Sequence, residues 1–243
     1  MEPRTQGSEP SMSQRRRFKE ARVDGVSHNV RYMEGGFGEP LVMLPGIAGL
    51  QITGAHHKLA ERYRVIAFDV PKVRDAFAGR ASTVTQDVAE HLGLSIAALG
   101  IDSFNLLGSS FGANVALQLA IRQPERVRAL ILASPTAIRP EPRVTGTPPA
   151  RAVDGSSGQS IEQQLAALEI PVLILFGTDD LVVPPETGRI YREKLPNCHY
   201  VLVYGAGHAI EDDRPDAFVS VVSDFVDGPD GFIVNQRSGL INP

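Results

Sequence analysis

Cysteine occurs once in the 243 residues, at Cys198, which excludes an internal disulfide framework and a four-cysteine zinc site and fits a reducing compartment. Excess charge of either sign is lacking: 24 basic residues stand against 28 acidic ones, and a pI near 5.9 leaves no basic stripe of the kind nucleic acid requires. A long unbroken apolar run is missing as well. Ser103 to Ile121 carries no charge, but Asn105, Ser109, Ser110, Asn114, Gln118 and two glycines interrupt it, so it predicts a buried strand and helix, not a membrane span. The first twenty residues contain no apolar core of a secretory signal, and Arg15-Arg16-Arg17 reads as a solvated edge; the expected location is cytoplasmic. No internal repeat is found. What is present is ample core material: 42% of the residues are hydrophobic, enough for one soluble domain.

Residues 1–14 are polar and predict a disordered head, with a single domain over 15–226 and an irregular tail over 227–243. Phe18 to Val23 and His28 to Met33 alternate in polarity around Asp24-Gly25 and predict a hairpin. Short, mostly apolar runs follow at Leu41–Leu44, Arg64–Phe68, Phe104–Leu107, Leu130–Ala133, Val172–Phe176 and Tyr200–Val203, as strands covered on both faces require. Helical spacing appears between them, with Val84, Val88, Leu92, Ile96 and Leu99 in one segment and Val115, Ala116, Leu119 and Ala120 in another. The alternation predicts an α/β domain: a mostly parallel central sheet with helices on both faces and the opening hairpin as an antiparallel edge. A stretch rich in Pro, Gly and Ser from residue 135 onward breaks the rhythm and predicts a reduced cap over about 135–170.

Gly108-Ser109-Ser110-Phe111-Gly112 is a G-x-S-x-G sequence where the most apolar strand meets the most apolar helix. Chance alone gives about 0.14 such pentapeptides in a chain of this composition, so the placement carries the signal. A sharp strand-to-helix turn strains its central residue and tolerates almost no side chain two residues to either side. A serine hydroxyl so presented needs a base to take its proton and an acid to orient that base. Two later strands run into loops that offer them: Gly177-Thr178-Asp179-Asp180-Leu181-Val182-Val183-Pro184 and Gly205-Ala206-Gly207-His208, both at the sheet edge where open α/β sheets place their sites.

With these motifs the chain, from about Leu41 to Phe225, resembles the α/β-hydrolase fold family, whose triad runs serine, acid, histidine in chain order. The resemblance implies Ser110 as nucleophile, His208 as general base and Asp180 as acid, with Asp179 the nearest rival. Asp180 is preferred for its spacing from Gly177 and Pro184. It also implies an oxyanion hole from the backbone N–H groups of Phe111 and of Ile47, in the loop Pro45-Gly46-Ile47-Ala48-Gly49. Pro45 stands where relatives often have histidine, Lys72-Val73-Arg74-Asp75 replaces a glycine-rich turn, and the 135–170 cap is short, which implies an open pocket.

The expected activity is cleavage of a carboxylic ester through an acyl-enzyme, without cofactor or metal, on a small-molecule acyl substrate and with no nucleic-acid or membrane partner. Lactone, thioester or carbon–carbon cleavage, acyl transfer and a non-catalytic binding role are the alternatives. The oligomeric state is open. His56 and His57 are expected at the surface, His91 exposed, His28 a plain strand residue, and Cys198 without a catalytic role because it and His199 point to opposite faces of a strand.

Overall fold

The computed structural model describes residues 17–24, 29–70, 81–138, 161–232 and 240–241. The expected head at 1–14, the Lys72–Asp75 turn, His28 and most of the cap lie outside them. Strands β1 (Lys19–Asp24), β2 (Asn29–Gly36), β3 (Pro40–Leu44), β4 (Arg64–Phe68), β5 (Phe104–Ser109), β6 (Val127–Ala133), β7 (Val172–Gly177), β8 (Cys198–Val203) and β9 (Leu240–Ile241) form one sheet in the order β1-β2-β4-β3-β5-β6-β7-β8-β9. β3 through β8 run parallel to one another, and the hairpin strands β1 and β2 form an antiparallel edge joined to β4, as the alternating sequence predicts. β1 and β2 end their register at Asp24 and Asn29, so their connection falls at 25–28.

The helices are α1 (Gly54–Leu59), α2 (Ala81–Ala98), α3 (Phe111–Arg122), α4 (Ile161–Ala166), α5 (Thr187–Lys194), α6 (Ile210–Asp213) and α7 (Pro215–Asp227). Alternate strand residues feed two separate cores. Val42, Leu44, Phe104, Leu106, Leu130 and Ile174 pack with α2 and α3 on one face, while Leu41, Met43, Leu107, Ile131 and Leu173 pack with α1 and α7 on the other. β5 and β7 are buried along their whole length, which is why their sequences show no polar alternation.

Five of the described helices escape the strand-and-helix reading of the sequence: α1, α4, α5, α6 and α7. In α7 the residues Ala217, Phe218, Val221, Val222 and Phe225 are buried in one stripe, and Phe225 continues into an edge-to-face cluster with His199 and Phe232. The tail therefore begins docked, and Leu240–Ile241 pairs antiparallel with β8. The surface expectation for His56 is also corrected. His56 is buried at 8% exposure in α1, its Nδ1 accepting the Thr53 hydroxyl at 3.0 Å and the Thr53 N–H at 3.3 Å, while His57 is exposed. The Phe18 ring stands edge-on to the His56 imidazole with centroids 6.3 Å apart, and the Thr53 contacts hold the ring against the body of the protein.

The strand order reverses between β3 and β5. β4 lies to one side of β3, and the chain then crosses back to lay β5 on the other side. At such a switch point the loops leaving the carboxyl ends of the two central strands diverge and open a crevice. Leu44 is paired with Gly108, so the loop after β3 and the turn after β5 leave the sheet side by side.

Candidate active site

Ser110 follows β5 with φ 53° and ψ −113°, a conformation a non-glycine residue holds only under constraint, at a cost of about 1–3 kcal/mol. The constraint is steric. A Cβ on Gly108 would lie 2.4 Å from the Gly112 carbonyl oxygen, and one on Gly112 would lie 2.3 Å from that of Leu44. Only two bare backbones let the start of α3 close onto the ends of β3 and β5. The Ser110 N–H donates to the Ala133 carbonyl at 2.8 Å, which fixes the turn to the neighbouring strand. Asn114 clamps the same region, donating to the Thr136 hydroxyl at 2.7 Å and accepting the Thr136 N–H at 3.0 Å.

The structure brings Ser110, His208 and Asp180 together. His208 Nε2 lies 2.9 Å from Ser110 Oγ, and His208 Nδ1 lies 2.9 Å from Asp180 Oδ2. Asp180 Oδ1 accepts the N–H groups of Val182 and Val183 at 2.8 and 2.9 Å, so both carboxylate oxygens act as acceptors and the ring proton belongs on Nδ1. That leaves Nε2 as the acceptor facing the serine. The Asp180 side chain is fully buried, whereas that of His208 is 24% exposed, so the acid is shielded while the imidazole remains accessible. The loops are held by close contact: a Cβ on Gly177 would strike the Ala206 carbonyl oxygen at 2.1 Å, and the Asp213 carboxylate accepts the Gly207 N–H at 2.8 Å. Asp179, the rival acid, is turned away and accepts the Thr178 hydroxyl at 3.0 Å.

Ile47 lies in a turn closed by the Gly49 N–H to the Gly46 carbonyl at 3.1 Å, and a Cβ on Gly46 would sit 3.3 Å from Ser110 Cβ. This loop runs directly against the Ser110 turn. Phe111 opens α3, where a backbone N–H has no partner within the helix. Among the described residues, neither the Ile47 N–H nor the Phe111 N–H donates to another protein group.

The remaining expectations separate cleanly. Cys198 packs toward the α3 side and His199 toward Phe225 and Phe232, on opposite faces of β8, and burial pushes the Cys198 thiol up to about 12, far from a thiolate nucleophile. His91 is part-exposed on α2 with Nδ1 at 2.6 Å from the Asp87 carbonyl. Among the described residues no group of three or more His, Cys, Asp or Glu side chains converges as metal ligands would, and no helix is long and apolar enough to cross a membrane. Sequence reasoning missed Glu211, whose carboxyl end is buried beside the triad. It sat in the acidic run Glu211-Asp212-Asp213, which reads as solvated charge.

A parallel sheet with a switch point at β3 and β5, and a serine, an acid and a histidine delivered in that order to its carboxyl edge, define an α/β hydrolase. The family profile for the alpha/beta hydrolase fold matches residues 39–152, and one for a TAP-like protein matches residues 148–230. The chain belongs to the α/β-hydrolase fold family and is an enzyme of its hydrolase class. It is 27% identical to N-formylmaleamate deformylase of Pseudomonas putida, over 83% of this chain and 93% of that protein. It is 25% identical to pimeloyl-[acyl-carrier protein] methyl ester esterase of Neisseria meningitidis, over 56% of this chain and 59% of that protein. Among solved structures, a bacterial membrane phospholipase A superposes with a TM-score of 0.72 at 22% identity, covering 88% of this chain and 87% of that one.

Proposed function

We propose that the protein is a serine hydrolase that cleaves a carboxylic ester or related small acyl compound through an acyl-enzyme on Ser110. His208 Nε2 takes the Ser110 proton as Oγ attacks the carbonyl carbon, and Asp180 holds the imidazole in the required tautomer and stabilises the imidazolium. The Ile47 and Phe111 N–H groups receive the developing oxyanion. His208 then returns the proton to the departing alkoxide, the C–O bond breaks, and water repeats the sequence to release the acid. The observation that carries the proposal is the unbroken hydrogen-bonded line from Asp180 through His208 to Ser110, with 2.9 Å at each step. Ile47 at 64% exposure beside the nucleophile, with exposed Leu181 and Val182 just after the acid, supplies apolar surface suited to an acyl or alkyl chain.

A panel of p-nitrophenyl esters of increasing chain length, assayed with the native protein and with Ser110→Ala, tests the reading. Turnover of the short esters that disappears in Ser110→Ala is expected. No turnover across the panel, or turnover that survives the substitution, counts against it. A second reading, hydrolysis of an N-formyl amide, is favoured by the identity to N-formylmaleamate deformylase across nearly the whole of that protein. Formate release from N-formyl amides, compared with ester turnover, separates the two.

A further inference from the structure

Among the described residues two that are not glycine hold a positive φ, Ser110 at 53° and Ser134 at 46°, and they stand side by side: Ser109 and Ala133 are register partners at the ends of β5 and β6, and each strained serine follows one of them. Backbone strain of this kind persists only where the surroundings over-determine it. Here the Ser110 N–H donates to the Ala133 carbonyl and the Ser134 N–H to the Leu175 carbonyl, each at 2.8 Å, and the Ile138 N–H donates to the hydroxyl of the fully buried Tyr191 of α5 at 3.0 Å. Residues 133–138 are therefore a fixed abutment beside the Ser110 turn. Asn114, one turn into α3, reaches this abutment with both ends of its amide. The Thr136 N–H can only donate, so Asn114 Oδ1 faces it at 3.0 Å, and Nδ2 is left to donate to Thr136 Oγ1 at 2.7 Å. In the same helical turn Gly112 leaves no room for a Cβ beside the carbonyls of Leu44 and Pro45. The first turn of α3 is thus held from both flanks of β5, by bare backbone contact on the β3 side and by a doubly bonded amide on the β6 side.

We propose that Asn114 is a positioning residue: bonded at both ends to Thr136, its amide sets the roll of the first turn of α3 and thereby aims the Ser110 hydroxyl at His208 Nε2 and the Phe111 N–H at the developing oxyanion. The inference rests on the serine-hydrolase reading above and adds to it a residue outside the triad and the oxyanion donors. Apolar packing is non-directional and leaves a helix free to roll slightly about its axis, whereas two hydrogen bonds to one residue fix a direction. Phe111 and Ser110 lie three and four residues before Asn114, within one helical turn, so a roll at Asn114 is passed to both. The tie also accounts for an asparagine, a weaker helix former than alanine, between the fully buried Ala113 and Val115. A misplacement of about 1 Å between reacting groups can cost on the order of a hundredfold in rate.

The test compares Asn114→Ala, Thr136→Val, the double variant and Thr136→Ser, using kcat and KM for p-nitrophenyl acetate and the rate at which a fluorophosphonate labels Ser110. Asn114→Ala, which removes both bonds, is expected to lower kcat and the labelling rate by about ten- to a hundredfold with KM nearly unchanged. Thr136→Val, which removes the hydroxyl and keeps the backbone N–H, is expected to lower both by about three- to tenfold. Thr136→Ser, which keeps the hydroxyl, should recover most of that loss. The double variant should be no worse than Asn114→Ala, because the hydroxyl then has no amide left to meet. Wild-type kcat in Asn114→Ala, a loss carried by KM alone, losses that multiply in the double variant, or a Ser variant as impaired as the Val variant overturns the inference. If Asn114→Ala does not fold, Thr136→Val and Thr136→Ser decide alone. Wild-type protein that neither turns over the ester nor takes the label points instead to failure of the serine-hydrolase reading.

Discussion

Replacing Asp180 by asparagine changes one atom and reverses the direction of a proton relay. The Asp180 Oδ1 atom accepts two backbone N–H groups, from Val182 and Val183, whereas Oδ2 accepts one ring N–H from His208. An asparagine must choose. Turning its NH2 toward the two backbone donors forfeits two hydrogen bonds of about 1 kcal/mol each and leaves the buried Val183 N–H unpaired at about 1–3 kcal/mol. The amide oxygen therefore stays on Val182 and Val183, and the NH2 faces His208 Nδ1. The ring answers by carrying its proton on Nε2, which then donates toward Ser110 Oγ and cannot accept from it. The expected result is a fall in kcat of about 10⁴-fold, or about 5.5 kcal/mol of barrier, with KM and melting temperature close to those of the native protein. Steady-state kinetics on a short p-nitrophenyl ester measures it, and Asp179→Asn serves as the internal control. A kcat within tenfold of wild type for Asp180→Asn refutes the tautomer argument, and a large loss in Asp179→Asn instead would transfer the role to the neighbouring carboxylate.

Two further outcomes test the supports of the site. Burial lowers the His56 pKa from 6.5 to about 4, so the folded protein holds the ring neutral while the unfolded chain protonates it. The corresponding stability is present above pH 6.5 and is lost as pH falls toward 4, about 3 kcal/mol for a shift of that size; urea unfolding across this window should show the loss in the native protein and a flatter profile in His56→Gln, and equal slopes would contradict it. Gly112→Ala places a methyl group 2.3 Å from the Leu44 carbonyl and 2.5 Å from that of Pro45, both backbone atoms that cannot turn aside. A destabilisation of about 3 kcal/mol or more follows, seen as a melting-temperature drop of about 6–12 °C, and an unchanged melting temperature would show that the turn has slack.

Much of this was legible in the sequence because the relevant demands are local. The Gly108–Gly112 turn compresses its steric requirement into five residues, and β5 and β7 advertise burial on both faces by excluding charge. The loops with Asp180 and His208 could be found because each follows an apolar run and contains a glycine, Gly177 and Gly207, the first of which close packing requires. The buried stripe of α7 was equally present, in the spacing of Phe218, Val221, Val222 and Phe225, but it merged with the irregular tail that follows. Other features depend on partners far away in the chain. Nothing beside His56 in the sequence says that Phe18, thirty-eight residues earlier, will set its ring edge-on against it, and nothing in the acidic run at Glu211 says that one of its three carboxyls will have an oxygen sealed from solvent. Such burial is decided by how distant segments pack together.

The central claim is that Ser110 becomes covalently acylated during turnover. Acid-quenching the native protein within the first turnovers of p-nitrophenyl acetate, followed by mass analysis of the intact chain and of its peptides, tests it most directly. A single acetyl increment on the peptide containing Ser110, accumulating at the rate of the p-nitrophenolate burst and lost with steady-state kinetics, is the predicted result. Ester turnover without any adduct on Ser110, or the same adduct kinetics in the Ser110→Ala protein, would contradict the account.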